Sequence, residues 1–185
     1  MPFKAEQVED VPGLLILTPA VFGDDRGFFM EAYNRRDFFS LGIRSEFVQV
    51  NHSKSSRGVL RGLHYQTAPM AQSKLVRCLE GEVFDVAVDI RKGSPSFGKW
   101  YGLLLSEGNK KMFFMPRGFA HGFLVMSESA QIEYMVDEFY SPSHERGIIW
   151  NDPDLNIKWS YPEPLLSEKD ARNLPFAEAE YFNWQ

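Results

Sequence analysis

His64 stands in the run Arg61-Gly62-Leu63-His64-Tyr65-Gln66, close to an arginine and inside a stretch that alternates like a β-strand. An imidazole titrates near neutral pH, so it can take up a proton and return it. A guanidinium nearby suits an anionic ligand. A histidine base needs a group to hold its second ring nitrogen, usually a carboxylate. Asp85, Asp89 and Asp170 all qualify, and spacing does not choose among them. Abstraction of a proton beside a carbonyl also needs a cation for the developing oxyanion, which Lys74 at the head of the next strand can supply. Tyr134 shares a strand face with Ile132 and Val136 and is a candidate second proton carrier. Taken alone, it better suits an aromatic filling a barrel.

His121 ends the spacing Pro116-x-Gly118-x-x-His121, a turn into a strand that occurs in jelly-roll barrels of the cupin type. A metal-binding cupin also presents His-x-His and a nearby glutamate on an earlier strand. Here the residue two places after His64 is Gln66, and Cys78 is the only cysteine. Two histidines without a third suitable ligand make a poor transition-metal site, so no metal is expected.

These side chains need a scaffold, and the chain reads as short strands between turns. Strands are expected at Gly13 to Thr18, Phe47 to Asn51 and Val59 to Gln66. Further strands are expected at Lys99 to Leu105, Met112 to Met115, Gly122 to Met126 and Gln131 to Asp137. Gly23-Asp24-Asp25-Arg26-Gly27 predicts a turn with an arginine at its tip. Leu75 to Leu79 and Val83 to Ile90 flank Glu80-Gly81-Glu82, which predicts a hairpin. On the second of these strands Phe84, Val86, Val88 and Ile90 share one face, and Val83, Asp85, Ala87 and Asp89 the other. Two carboxylates on that small-residue face point to a polar cavity or to solvent. A short helix is expected at Arg35 to Leu41, stopped by Gly42, and another at Leu166 to Asn173, with Ser167 as N-cap and Asp170 three residues on. Many short strands at even spacing predict an all-β fold, a barrel or jelly-roll sandwich with short peripheral helices.

Bulk composition narrows the function classes. A length of 185 residues suits one domain, 1–185, with a sizeable core. Sixteen phenylalanines favour β-structure, where aromatic side chains pack well. A net charge of −5 without a dense basic block argues against nucleic acid as partner, since phosphates need a cationic face. No apolar run reaches membrane-spanning length, and the start of the chain has no apolar signal-peptide core. One cysteine excludes an intrachain disulfide, and a reducing cytoplasm is the expected compartment.

Several blocks resemble the dTDP-4-dehydrorhamnose 3,5-epimerase family. They are Gly23 to Phe29, Asn51-His52-Ser53, Gly58 to Gln66, Lys74 to Arg77, Gly81 to Arg91, Pro116 to Phe123, Ile149 to Pro153 and Leu166 to Asp170. They run in order through nearly the whole chain. The resemblance implies a metal-free and cofactor-free cupin-type jelly roll. It implies a dTDP-4-keto-6-deoxy sugar as substrate, inverted at C3 and C5 on the way to dTDP-rhamnose.

By the same resemblance, His64 is the base, Asp170 or Asp85 the carboxylate that holds it, Lys74 the cation at the oxyanion and Tyr134 the acid. Arg26, Arg61 and Lys169 meet diphosphate or sugar oxygens. Glu31, Gln49 and Asn51 line the nucleotide and sugar site, with the Val50 backbone between. His121 and Glu145 add substrate contacts, and Tyr140 stacks on thymine. A homodimer exchanging an N-terminal strand is implied too, with Arg26 and Glu31 serving the partner's site. The rival readings are an epimerase of a single carbon, a non-catalytic sugar-nucleotide binder and a metal-dependent oxygenase. One local conflict stands out: strict alternation puts Arg61 and His64 on opposite strand faces, and only a bulge or twist, expected at Gly62, brings both to one ligand.

Overall fold

The computed structural model describes residues 2–184. In chain order the early strands are β1 (Phe3–Gln7), β2 (Leu15–Pro19), β3 (Phe22–Asp24) and β4 (Gly27–Phe29), followed by helix α1 (Arg35–Ser40). Then come β5 (Gln49–Ser56), β6 (Leu60–Gln66), β7 (Lys74–Glu80), β8 (Glu82–Asp89), β9 (Arg91–Lys92) and β10 (Trp100–Ser106). The last are β11 (Met112–Met115), β12 (Phe119–Val125), β13 (Ser129–Val136), β14 (Glu145–Gly147) and β15 (Phe182–Asn183). One sheet has the order β1-β2-β11-β7-β13-β5, and a second has the order β10-β8-β12-β6-β14. Pairing within both is antiparallel. Two opposed antiparallel sheets of short strands form the jelly roll that the strand spacing predicts.

The core explains the apolar runs. Val76, Val83, Ala87, Phe113, Phe123 and Ile132 pack together in one cluster drawn from both sheets. The other face of β8 is covered as well: Val86, Val88 and Ile90 pack with Leu155 and Ile157 and with the half-buried Phe176 and Phe182 of the C-terminal segment. Burial on both faces replaces the alternation of a half-exposed strand with a continuous apolar run. Asp85 and Asp89, both 0% exposed, are therefore sealed in rather than facing solvent. Asp89 is satisfied by Arg91, Ser94 and Ser96.

Two expected elements differ. Glu80-Gly81-Glu82 does not close a hairpin, because β7 pairs with β11 and β13 while β8 pairs with β10 and β12 in the other sheet. The turn is an arch between sheets. Gly81 takes φ +75°, and a Cβ on it would lie 2.1 Å from the Ser129 carbonyl oxygen, so glycine marks a close approach here. The expected helix at Leu166 to Asn173 is only a 3-10 turn over Asp170–Arg172. Ser167 Oγ does accept from the Asp170 amide at 3.1 Å, but the residue at the cap position is Lys169, which makes no side-chain cap bond. The turn stops because Asn173 is already extended at ψ 151°. By contrast α1 forms as expected: Asn34 caps its first amides, and Gly42 follows at φ +89°.

The turn expected at Gly23 to Gly27 is the tip of the β3–β4 hairpin, with Asp24 opposite Gly27. Phe22, Phe28 and Phe29 on this hairpin are exposed. No helix among the described residues is long and apolar enough to cross a membrane.

Candidate active site

A cavity of about 290 Å³ opens between the sheets, lined by Gln49 and Asn51 of β5, His64 of β6, Lys74 of β7, Tyr134 of β13, Glu145 of β14 and the loop residue Tyr140. His64 and Glu145 come from the five-stranded sheet, and Gln49, Asn51, Lys74 and Tyr134 from the six-stranded one. A ligand between the sheets would therefore meet the imidazole and the phenol from opposed walls.

A bulge resolves the spacing of Arg61 and His64. His121 of β12 pairs with His64 and Phe123 with Arg61, so Gly62 and Leu63 together oppose Gly122. The extra residue restores a common face for side chains three apart. Gly62 takes φ +134°, and a Cβ on it would stand 2.4 Å from the Gly122 Cα, so only glycine fits.

Two histidine–aspartate pairs sit side by side on the paired strands β6 and β12. His64 Nε2 is hydrogen-bonded to Asp170 Oδ1. With the carboxylate accepting, Nε2 carries the proton and Nδ1 keeps its lone pair. Asp170 also accepts from Ser167 Oγ at 2.8 Å. Burial works to raise the Asp170 carboxyl, but hydrogen bonds from His64, Ser167 and the Gly62 amide outweigh it and hold the group below its ordinary value. In the second pair His121 Nε2 lies 3.0 Å from both oxygens of Asp85. Geometry thus assigns Asp170 to His64 and Asp85 to His121.

The side chain of His64 is 29% exposed, against 7% for that of His121. His121 is absent from the cavity wall. Burial lowers its pKa, and the charges of Lys74 and His64 lower it further against the pull of Asp85.

Lys74 is buried, and its Nζ donates to the His64 carbonyl oxygen at 3.2 Å. Burial pushes its pKa down to about 8, against the fields of Asp85 and Glu145. The Tyr134 phenol is raised above 10 by burial, with Glu145 adding and Arg61 opposing. Among the described residues no group of three or more His, Cys, Asp or Glu side chains is placed to hold a metal ion.

Around the cavity Tyr140 donates its hydroxyl to Glu145 Oε2 at 2.6 Å, and Lys169 pairs with the same oxygen. The Tyr140 amide donates to Gln49 Oε1 at 3.1 Å, and Gln49 Nε2 to Asn51 Oδ1 at 2.8 Å. Arg61 does not line the cavity; its Nε donates to Ser55 Oγ at 3.1 Å. Val50 points outward from β5, 57% exposed. Arg26 sits exposed at the hairpin tip, paired with Asp24, and Glu31 accepts from Asn34. Neither Arg26 nor Glu31 reaches this chain's own cavity.

Three wall residues, Tyr65, Gln66 and Gln72, escaped the sequence reading. Gln66 donates to the carbonyls of Met70 and Phe139 and accepts from the Ser141 amide, tying the flanking loops to β6. Its place two residues after His64 was the available signal, because side chains at i and i+2 share a strand face. Gln72 donates to the Glu138 carbonyl from a loop, where no periodicity reports orientation.

A family model described as dTDP-4-dehydrorhamnose 3,5-epimerase matches residues 9–178. An enzyme of that description from Shigella flexneri is 57% identical over 174 residues, covering 94% of this chain and 96% of the relative. One from Pseudomonas aeruginosa is 56% identical over 174 residues, covering 93% and 96%. A crystal structure of a dTDP-6-deoxy-D-glucose-3,5-epimerase from Legionella pneumophila, in complex with dTDP-4-keto-L-rhamnose, superposes with a TM-score of 0.95 at 44% identity over 99% of each chain.

Proposed function

Because the chain belongs to the dTDP-4-dehydrorhamnose 3,5-epimerase family, we propose that it is an isomerase that inverts C3 and C5 of dTDP-4-dehydro-6-deoxy-D-glucose, yielding dTDP-4-dehydro-L-rhamnose for rhamnose-containing polysaccharides. The observation that carries this reading is the shared cavity of His64 and Tyr134, with Lys74 between the sheets and Asp170 behind the imidazole.

The C4 ketone acidifies the C–H bonds on either side of it. His64 Nδ1 removes one of these protons, and the electron pair moves into the ring as an enolate whose negative oxygen is stabilised by the Lys74 ammonium. Asp170 keeps the ring in the competent tautomer and stabilises the imidazolium that forms. Tyr134 then delivers a proton to the other face of the carbon, and the carbon inverts. Same-face return would only exchange the hydrogen. Each event leaves His64 with an extra proton and Tyr134 without one, so the pair resets through solvent. The raised Tyr134 pKa favours that recharging, since a phenolate in this setting recaptures a proton readily at neutral pH.

The nucleotide half belongs around the cavity, with Gln49, Asn51, Glu145 and Lys169 on its polar groups and the exposed ring of Tyr140 on the base. Arg26, Glu31 and Arg61 complete the phosphate and sugar contacts, with Arg26 and Glu31 acting in the cavity of a second copy. Their distance from their own cavity and the exposed Phe22, Phe28 and Phe29 support a homodimer that exchanges this N-terminal region. A nucleotide-sugar substrate and a single cysteine suit the cytoplasm. Turnover in deuterated water tests the reaction: product carrying deuterium at both C3 and C5 is expected, and label at one carbon alone would assign a single-carbon epimerase instead.

A further inference from the structure

Lys74 poses a problem that the residues placed so far do not solve. It is 8% exposed, it takes part in no ion pair among the described residues, and its hydrogen bond goes to a neutral carbonyl. A buried ammonium without a contacting counter-ion tends to shed its proton. The role proposed for Lys74 at the enolate requires that proton.

The titratable groups facing Lys74 are Asp85 of β8, Glu145 of β14, His64 of β6, His121 of β12, Tyr134 of β13 and Tyr140 of the cavity loop. Lys169 lies behind Glu145 and Asp170 behind His64, and the charge of Arg61 is felt at Tyr134. The tyrosines are neutral and His64 is the base. Asp170 is occupied by His64, and Glu145 by Lys169 and Tyr140. That leaves Asp85, whose side chain is 0% exposed. Its contact is His121, both oxygens 3.0 Å from Nε2. An imidazolium there would cancel the carboxylate. A neutral imidazole can donate Nε2–H, fix the carboxylate and leave its charge intact. The neutral form is favoured by the His121 side chain's 7% exposure and by the neighbouring Lys74 ammonium.

Resting on the reaction assigned above, we propose that the buried Asp85–His121 pair is a positioning device for Lys74: neutral His121 anchors Asp85, and the unspent negative charge of Asp85 keeps the Lys74 ammonium protonated in the cavity wall. Asp85 then acts through Lys74 without touching the substrate. The burial-driven fall of the Lys74 pKa to about 8 leaves little margin above neutrality, so losing this field matters at working pH.

The pH profile of kcat tests the assignment. In the unmodified enzyme the basic limb should fall near pH 8, where Lys74 loses its proton. Asp85→Asn should move that limb down by about one pH unit, with KM little changed. His121→Gln, which keeps a neutral donor, should leave the limb where it is. An Asp85→Asn limb that does not move, or a His121→Gln limb that moves up, overturns the inference; the second would show an imidazolium that had been cancelling Asp85. If Asp85→Asn does not fold, His121→Gln decides alone. NMR titration of the lysine ε-carbon in 13C-lysine-labelled protein reads the Lys74 pKa without substrate. The same shifts are expected there, and their absence would sink the device even with the epimerase reaction intact. Missing epimerisation with the shifts present would instead overturn the reaction assigned above.

Discussion

The two histidine–aspartate pairs use the same chemical groups in different surroundings. His64–Asp170 opens on the cavity with nearly a third of its imidazole exposed, whereas His121–Asp85 is sealed beneath it. Asp170 opens a 3-10 turn and is held by a serine hydroxyl and a backbone amide, while Asp85 stands on an interior strand buried on both faces. Exposure decides what each pair can do. A base must meet its substrate and exchange protons with solvent; a sealed pair can only hold a charge in place. The bulge at Gly62 places β6 so that His64 meets the cavity while the paired His121 stays behind it.

Breaking the open pair should act on rate. His64→Ala should reduce turnover and solvent-proton exchange by about 10²- to 10⁴-fold, with thermal stability little changed, as assays and a melting curve would show. Breaking the sealed pair should act on the fold as well. His121→Ala strands a buried carboxylate and should cost about 3 kcal/mol in urea denaturation; a loss as small as that of His64→Ala would erase the distinction between the pairs. Gly62→Ala forces a Cβ against the Gly122 backbone at a positive φ and should cost about 3 kcal/mol, again read by denaturation. The smallest effect belongs outside both pairs. Tyr140→Ala should weaken dTDP binding by about 1 to 2 kcal/mol in calorimetry while kcat changes little.

How much of this was legible depended on sequence distance. Most sheet strands followed from local patterning, although β1 and β14 were not expected and β5 runs past Asn51 to Ser56; the conflict between Arg61 and His64 located the bulge at Gly62. The choice between Asp85 and Asp170 was not legible, because a contact between residues 64 and 170 is a property of the closed fold. The same holds for the arch at Gly81. Strand–glycine–strand patterning reads alike whether the partner strands lie side by side or in facing sheets, and only the pairing of β8 with β10 and β12 decides it. At Ser167 and Asp170 the helix-start pattern was real. Ser167 does bond back to Asp170, but the carboxylate is committed to His64 and the chain turns away after one 3-10 turn. Arg26 and Glu31 had counterparts in the resemblance but lie outside the cavity of their own chain, which local patterning does not report.

The claim that matters most is that proton removal and proton return come from opposed walls, His64 on one sheet and Tyr134 on the other. Tyr134→Phe in deuterated water measures it most directly, by comparing exchange with inversion at C3 and C5. Retained exchange with inversion largely lost is the expected result; equal loss of both would contradict the two-wall account.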